Sequence, residues 1–133
     1  HIQLDWPSLN EMRETYEMFS EFGLDQQITE LDVSIYGWPP SGEFKTEEEI
    51  PDSILEDQAA RYEALFELYK EFDEEISNVT FWGIADDHTW LDDRAQEHSD
   101  DGAGKDAPFV FDTEFKVKPA YYAMMGLEEG NLP

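Results

Sequence analysis

The hydrophobic pattern of the chain changes period several times along its length. Ser8 followed three residues later by Glu11 has the form of a capping box, and Leu9, Met12, Tyr16, Phe19 and Phe22 then recur at helical spacing. This predicts an amphipathic helix closed by Gly23. From Gln26 to Ile35 the period falls to two, with Leu31, Val33 and Ile35 on one face and Ile28, Glu30, Asp32 and Ser34 on the other. The spacing predicts a strand with one apolar and one acidic face. Residues 37–49, which include Pro39, Pro40 and Gly42, read as a loop. A second helix is predicted from about Asp52 to Phe72, where Leu55, Ala59, Tyr62, Phe66, Tyr69 and Phe72 make one stripe. Val79 to Ala85 reads as a strand, residues 86–106 as a polar loop interrupted by Trp90 and Leu91, and Pro108 to Phe115 as an extended segment. Pro119 is placed to open a last helix through Met125.

Helices alternating with strands, and long loops after the strands, predict an α/β fold with a parallel sheet. Two strands and their helices cannot close a barrel, and parallel strands are normally buried on both faces, so further strands are expected to pair with these. The chain opens on His1 rather than Met and shows no signal-peptide pattern, and it is therefore read as processed or as a piece of a longer polypeptide.

Composition narrows the partners. With 33 Asp and Glu against 8 Lys and Arg, the formal net charge is -25, which repels phosphate backbones and anionic lipid surfaces. Nucleic acid and membranes are expected to be no partners of this chain, and a neutral polymer fits better. A hydrophobic fraction of 40%, with 14% aromatic residues, suffices for a packed core. There is no cysteine, which removes disulfides and thiolate chemistry, and no apolar run approaches the roughly 20 residues of a bilayer span. His88 and His98 lack a third ligand at zinc-site spacing, and the acidic runs at Glu47 to Glu49, Asp92-Asp93 and Asp100-Asp101 match no calcium loop. No metal and no cofactor is expected.

Glu30 and Asp32 share a strand face close to its C-terminal end, just before a long loop. Spacing alone leaves two readings open: a solvated edge strand in a very acidic protein, or a carboxylate pair kept for chemistry.

Longer motifs go further. Ile28-Thr29-Glu30-Leu31-Asp32-Val33 resembles the nucleophile strand of the family 10 glycoside hydrolases, which are retaining endo-1,4-β-xylanases. Residues 81–91, from Phe81-Trp82-Gly83 to Thr89-Trp90-Leu91, resemble that family's eighth-strand segment, and residues 109–122, ending in Lys118-Pro119-Ala120-Tyr121-Tyr122, its approach to the final helix. The resemblance implies that residues 1–133 form a C-terminal fragment of a (β/α)8 TIM barrel, about strands six to eight with their helices, His1 standing at the end of strand six. It also implies site roles: Glu30 as nucleophile, His1 and Asp32 as its hydrogen-bonding supports, and Trp82 and Trp90 as walls of the sugar subsites. The implied substrate is xylan or a xylo-oligosaccharide, and the implied setting is secretion rather than the cytoplasm. The family's general acid/base lies in a Trp-Asp-x-x-Asn-Glu-like stretch at the end of strand four, and no such stretch occurs here. Asp86 and Asp87 do not occupy its position. The fragment is therefore expected to be inactive alone and to associate with the N-terminal part of the same barrel or with a copy of itself. The alternative is a non-catalytic, xylan-binding half-barrel.

Overall fold

The computed structural model of the chain describes residues 1–128. Its elements run in the order β1 (Ile2–Gln3), α1 (Leu9–Ser20), β2 (Gln26–Leu31), β3 (Val33–Ser34), α2 (Asp52–Glu71), β4 (Ile76–Phe81), α3 (Leu91–Glu97) and α4 (Pro119–Met125). β1 pairs in parallel with β3, Ile2 opposite Val33, and β2 pairs in parallel with β4, Ile28 opposite Val79 and Leu31 opposite Phe81. β2 and β3 are one strand interrupted at Asp32. It lies between β1 and β4, and each crossover carries a helix, α1 between β1 and β2 and α2 between β3 and β4. Two consecutive βαβ units result, as expected for a segment of a parallel barrel.

Local sequence accounts for the helix ends. At α1 the Ser8 Oγ accepts from the Glu11 N–H at 3.2 Å and the Glu11 carboxylate accepts from the Ser8 N–H at 2.9 Å, the reciprocal capping box. The helix stops at Ser20, earlier than its periodicity suggests, and Phe19 and Phe22 are exposed rather than buried. α4 opens on Pro119 in its first turn and closes on Gly126, whose φ of 65° is the left-handed geometry that glycine adopts without strain.

α2 packs on the sheet along a line rotated from the predicted stripe. Leu55 is partly buried against a second, smaller cluster rather than the main core. Ala59, Tyr62 and Tyr69 are buried as expected, but the fully buried leucines are Leu65 and Leu68, while Phe66 and Phe72 flank the main core. These side chains meet Ile2, Leu31, Val33, Val110 and Ala120 in the main core. Burying each leucine contributes about 1.5 to 3 kcal/mol. A smaller cluster of Ile35, Tyr36, Phe44, Ile50, Ala95 and Ala107 lies under the loops beyond the C-terminal ends of the strands.

The second predicted strand forms earlier than expected, at Ile76–Phe81, and the extended segment from Pro108 makes one antiparallel bridge, Phe111 to Val117. The loop of residues 86–106 contains α3, which sequence periodicity does not reveal because it is only seven residues long and Trp90, its N-cap, makes no side-chain cap. No helix among the described residues is long and apolar enough to cross a membrane.

Candidate active site

Leu31 and Val33 turn toward α2 and are buried, so Glu30, on the alternate face, points away from the helices and its side chain is 45% exposed. The ladder breaks at Asp32, whose side chain is 1% exposed. Parallel pairing of β1 with β3 sets His1 beside this break, with the Ile2 N–H donating to the Asp32 carbonyl at 3.0 Å. The imidazole then bridges two carboxylates. Its Nε2 is 3.1 Å from Glu30 Oε2 and its Nδ1 is 2.8 Å from Asp32 Oδ2. A ring protonated on both nitrogens donates to both acids at once.

Asp32 has a second partner, because the Trp90 indole N–H donates to the same Oδ2 at 2.9 Å. Burial pushes the Asp32 carboxyl above the ordinary carboxylate range, and the Trp90 hydrogen bond works against that shift. Asp32 thus contacts both His1 and Trp90, and the His1 ring links it to Glu30.

Trp82, the first residue beyond β4, is tied to the central strand by its N–H, which donates to the Leu31 carbonyl at 2.9 Å. Its ring meets His1 edge-on at 6.4 Å between centroids, and Trp90 lies 4.7 Å from His1 on the same measure. Glu30, His1, Asp32, Trp82 and Trp90 therefore form one contiguous cluster at the C-terminal ends of parallel strands. Sequence reasoning missed two neighbours of Trp90: Trp38, 6.5 Å away between ring centroids, and Arg94, whose guanidinium lies 5.8 Å from the ring centre. A tryptophan beside two prolines in a loop directly after the acidic strand was the signal available for Trp38.

Buried acids fasten the loops behind the cluster. Asp106 accepts from Ser34 Oγ at 2.5 Å and from the N–H groups of Ile35 and Ala107, and burial pushes its carboxyl up to about 6. Asp92 accepts from the Asp106 N–H at 3.1 Å and from Lys105 Nζ at 2.6 Å. Asp86 pairs with Lys118 Nζ at 2.6 Å and accepts from the Phe109 N–H at 2.8 Å, while burial drives its carboxyl up to about 7 against the pull of Lys118. So engaged, Asp86 pins the segment before α4 and is not presented to a ligand. Among the described residues no group of three or more His, Cys, Asp or Glu side chains could hold a metal ion.

Residues 1–127 match the sequence model of glycosyl hydrolase family 10. The chain belongs to that family. Among its relatives, the endo-1,4-beta-xylanase A of Halalkalibacterium halodurans is 55% identical over 125 residues, covering 94% of this chain and 31% of that protein. The solved xylanase XynB of Paenibacillus barcinonensis, complexed with a conduramine derivative, is 33% identical with a TM-score of 0.80, over 96% of this chain and 37% of that one. A solved structure in complex with xylotriose is 31% identical with a TM-score of 0.79, over 94% of this chain and 36% of that one. The chain thus spans about a third of the length of each of these three proteins. Its two βαβ units are the C-terminal part of the family's (β/α)8 barrel, and the acidic cluster lies at the strand ends where such barrels keep their active sites.

Proposed function

We propose that this chain carries the nucleophile side of a retaining endo-1,4-β-xylanase, with Glu30 as the nucleophile. The observation that supports this most is the Glu30 carboxylate at a strand end, bridged through His1 to buried Asp32 and flanked by Trp82 and Trp90. In the reaction a Glu30 oxygen attacks the anomeric carbon of a xylose unit while the glycosidic C–O bond breaks. A second carboxyl group protonates the leaving oxygen, then takes a proton from the water that hydrolyses the glycosyl ester. Asp32 keeps His1 oriented, and His1 keeps the Glu30 carboxylate in the geometry of attack. The half-exposed indole of Trp82 and the ring of Trp90 offer flat apolar faces to the uncharged sugar rings. A polymeric substrate fits an enzyme acting outside the cell.

The second carboxyl has to lie about 5 to 5.5 Å from the nucleophile and reach the leaving group. Asp32, which shares His1 with Glu30, is 1% exposed and cannot. This favours a second reading for residues 1–133 taken alone, a half-site that binds xylan without cleaving it.

One exchange experiment separates the readings. Residues 1–127 replace the matching segment of the H. halodurans xylanase, which supplies the remaining strands, and reducing-sugar release from xylan is compared with that of the 133-residue chain. Release by the chimera and none by the chain alone is the expected outcome. A folded chimera that binds xylan without releasing sugar would overturn the catalytic reading.

A further inference from the structure

β2 and β4 stop pairing at a defined point. Their last pair is Leu31 opposite Phe81, and the Trp82 N–H closes the ladder on the Leu31 carbonyl at 2.9 Å. Beyond it, on the side that β4 has left, Val33 is 0% exposed and its backbone groups need partners, since a buried N–H or carbonyl without a hydrogen bond is costly. The Val33 N–H donates to the Pro108 carbonyl at 3.2 Å, and the Val33 carbonyl accepts from the Gln58 side chain of α2 at 2.9 Å. The same amide donates to the Ala107 carbonyl at 2.7 Å, so it clamps β3 to the segment before Pro108. Tyr62, one helical turn on, donates its hydroxyl to the Pro108 carbonyl at 2.6 Å.

Gln58 is fully buried on a helix that otherwise buries Ala59, Tyr62 and Leu65 around it. With a carbonyl on each side, its NH2 group must face both, which leaves Oε1 buried with no hydrogen-bond partner among the described residues. A methionine would fill the same space without that orphan oxygen, but it would leave the carbonyls of Val33 and Ala107 unpaired. Gln58 is therefore kept for its two donors. What they hold is the seat of Asp32, the residue directly before Val33. The Asp32 carbonyl accepts from the Ile2 N–H on the opposite edge of the strand at 3.0 Å, and its Oδ2 meets His1 Nδ1 at 2.8 Å and the Trp90 N–H at 2.9 Å. A slide or twist of β3 moves Asp32 against both rings, and His1 against Glu30, 3.1 Å from its Nε2.

We propose that Gln58 is a positioning residue for the acidic cluster: without touching a ligand, it fixes the β3 backbone that seats Asp32, and so the geometry in which His1 meets Glu30. This rests on the xylanase reading of the same site, and the test separates the two. Gln58→Met, which keeps the bulk and removes the donors, is made in the H. halodurans exchange chimera with and without Asp32→Asn. kcat and KM are measured on a chromogenic aryl β-xylobioside, and nitrogen-15 tryptophan labelling follows the Trp90 indole N–H, assigned through Trp90→Phe. The expected result is a kcat lowered about tenfold with KM within about twofold, a shifted Trp90 resonance, and a further loss below about twofold in the Asp32→Asn background. Should Gln58→Met not fold, Gln58→Glu keeps the shape and is read in the same way. An unmoved resonance or an unchanged kcat overturns the proposal, as do losses that multiply in the double variant. Failure of both Gln58 variants to fold also overturns it, making Gln58 a core residue and no more. A folded parent chimera without activity overturns the xylanase reading, and the Trp90 resonance then decides whether Gln58 seats Asp32.

Discussion

Glu30 and Asp32 are two residues apart and chemically alike, yet their surroundings give them different work. Glu30 is half exposed, while Asp32 is buried, raised by that burial, and occupied by His1 and Trp90. Period-two spacing put both on one face, but it could not distinguish them, because the break in the strand at Asp32 is set by tertiary pairing with β1. The expected consequences differ accordingly. In the exchange chimera, Glu30→Gln removes the attacking oxygen and should lower kcat on xylan by a factor of about 10³ or more with little change in Tm. Asp32→Asn keeps the shape but removes the negative charge and one of the carboxylate's two acceptor oxygens at the contact with the His1 ring and the Trp90 indole, and should lower kcat about 10²-fold while leaving KM within a few fold. Steady-state kinetics on xylo-oligosaccharides checks both. Equal losses from the two substitutions would argue that Asp32 acts on substrate directly.

At the scale of elements, much of the architecture was legible. α1, α2 and α4 announced themselves by capping residues, by stripes of apolar side chains and by a proline at the right turn, because each is long enough or well enough capped for local physics to dominate. What stayed hidden depends on long-range contacts. α3 forms as Leu91 is buried and Ala95 joins the smaller core between loops, and Gln58, a polar residue inside α2, is fully buried because its amide donates to the carbonyls of both Val33 and Ala107. Gln58 was thus counted with no stripe. The buried acids belong to the same class. Asp106 holds β3 to the loop before Pro108, and its folded carboxyl loses its proton near 6 against about 3.9 in an unfolded chain. Between those values the folded state keeps a proton that the unfolded state has released, so stability falls as pH rises through the window from about 4 to 6. Asp86 acts with the same sign up to about 7. Thermal melts of the chimera should therefore show Tm declining from about pH 4 to 7, and Asp106→Asn should flatten the lower part of that decline. A Tm that climbs across this range in the parent would contradict the assignment.

For the whole molecule, the sheet ends in open edges. Among the described residues β1 pairs only with β3 and β4 only with β2, and Phe22, Leu24 and Ile84 are exposed by 60% or more. Unpaired edges and bare apolar side chains invite association, while a net charge of -25 opposes it through a field that salt screens. The 133-residue chain by itself is expected to self-associate, more strongly as salt rises from about 0.05 to 0.5 M, since burial and strand pairing are short-ranged and repulsion is not. Sedimentation velocity across a salt series measures this. A folded monomer at every salt and protein concentration would show that the half-barrel manages its edges without a partner.

If Glu30 attacks the sugar, the bond it makes can be trapped. The exchange chimera is incubated with a 2-deoxy-2-fluoro-xylobioside bearing a good leaving group, which slows hydrolysis of the glycosyl ester, then digested and mapped by mass spectrometry. The expected result is one fluoroxylobiosyl adduct, on the peptide that contains Glu30, and none in the Glu30→Gln variant. An adduct on any other carboxylate would contradict it.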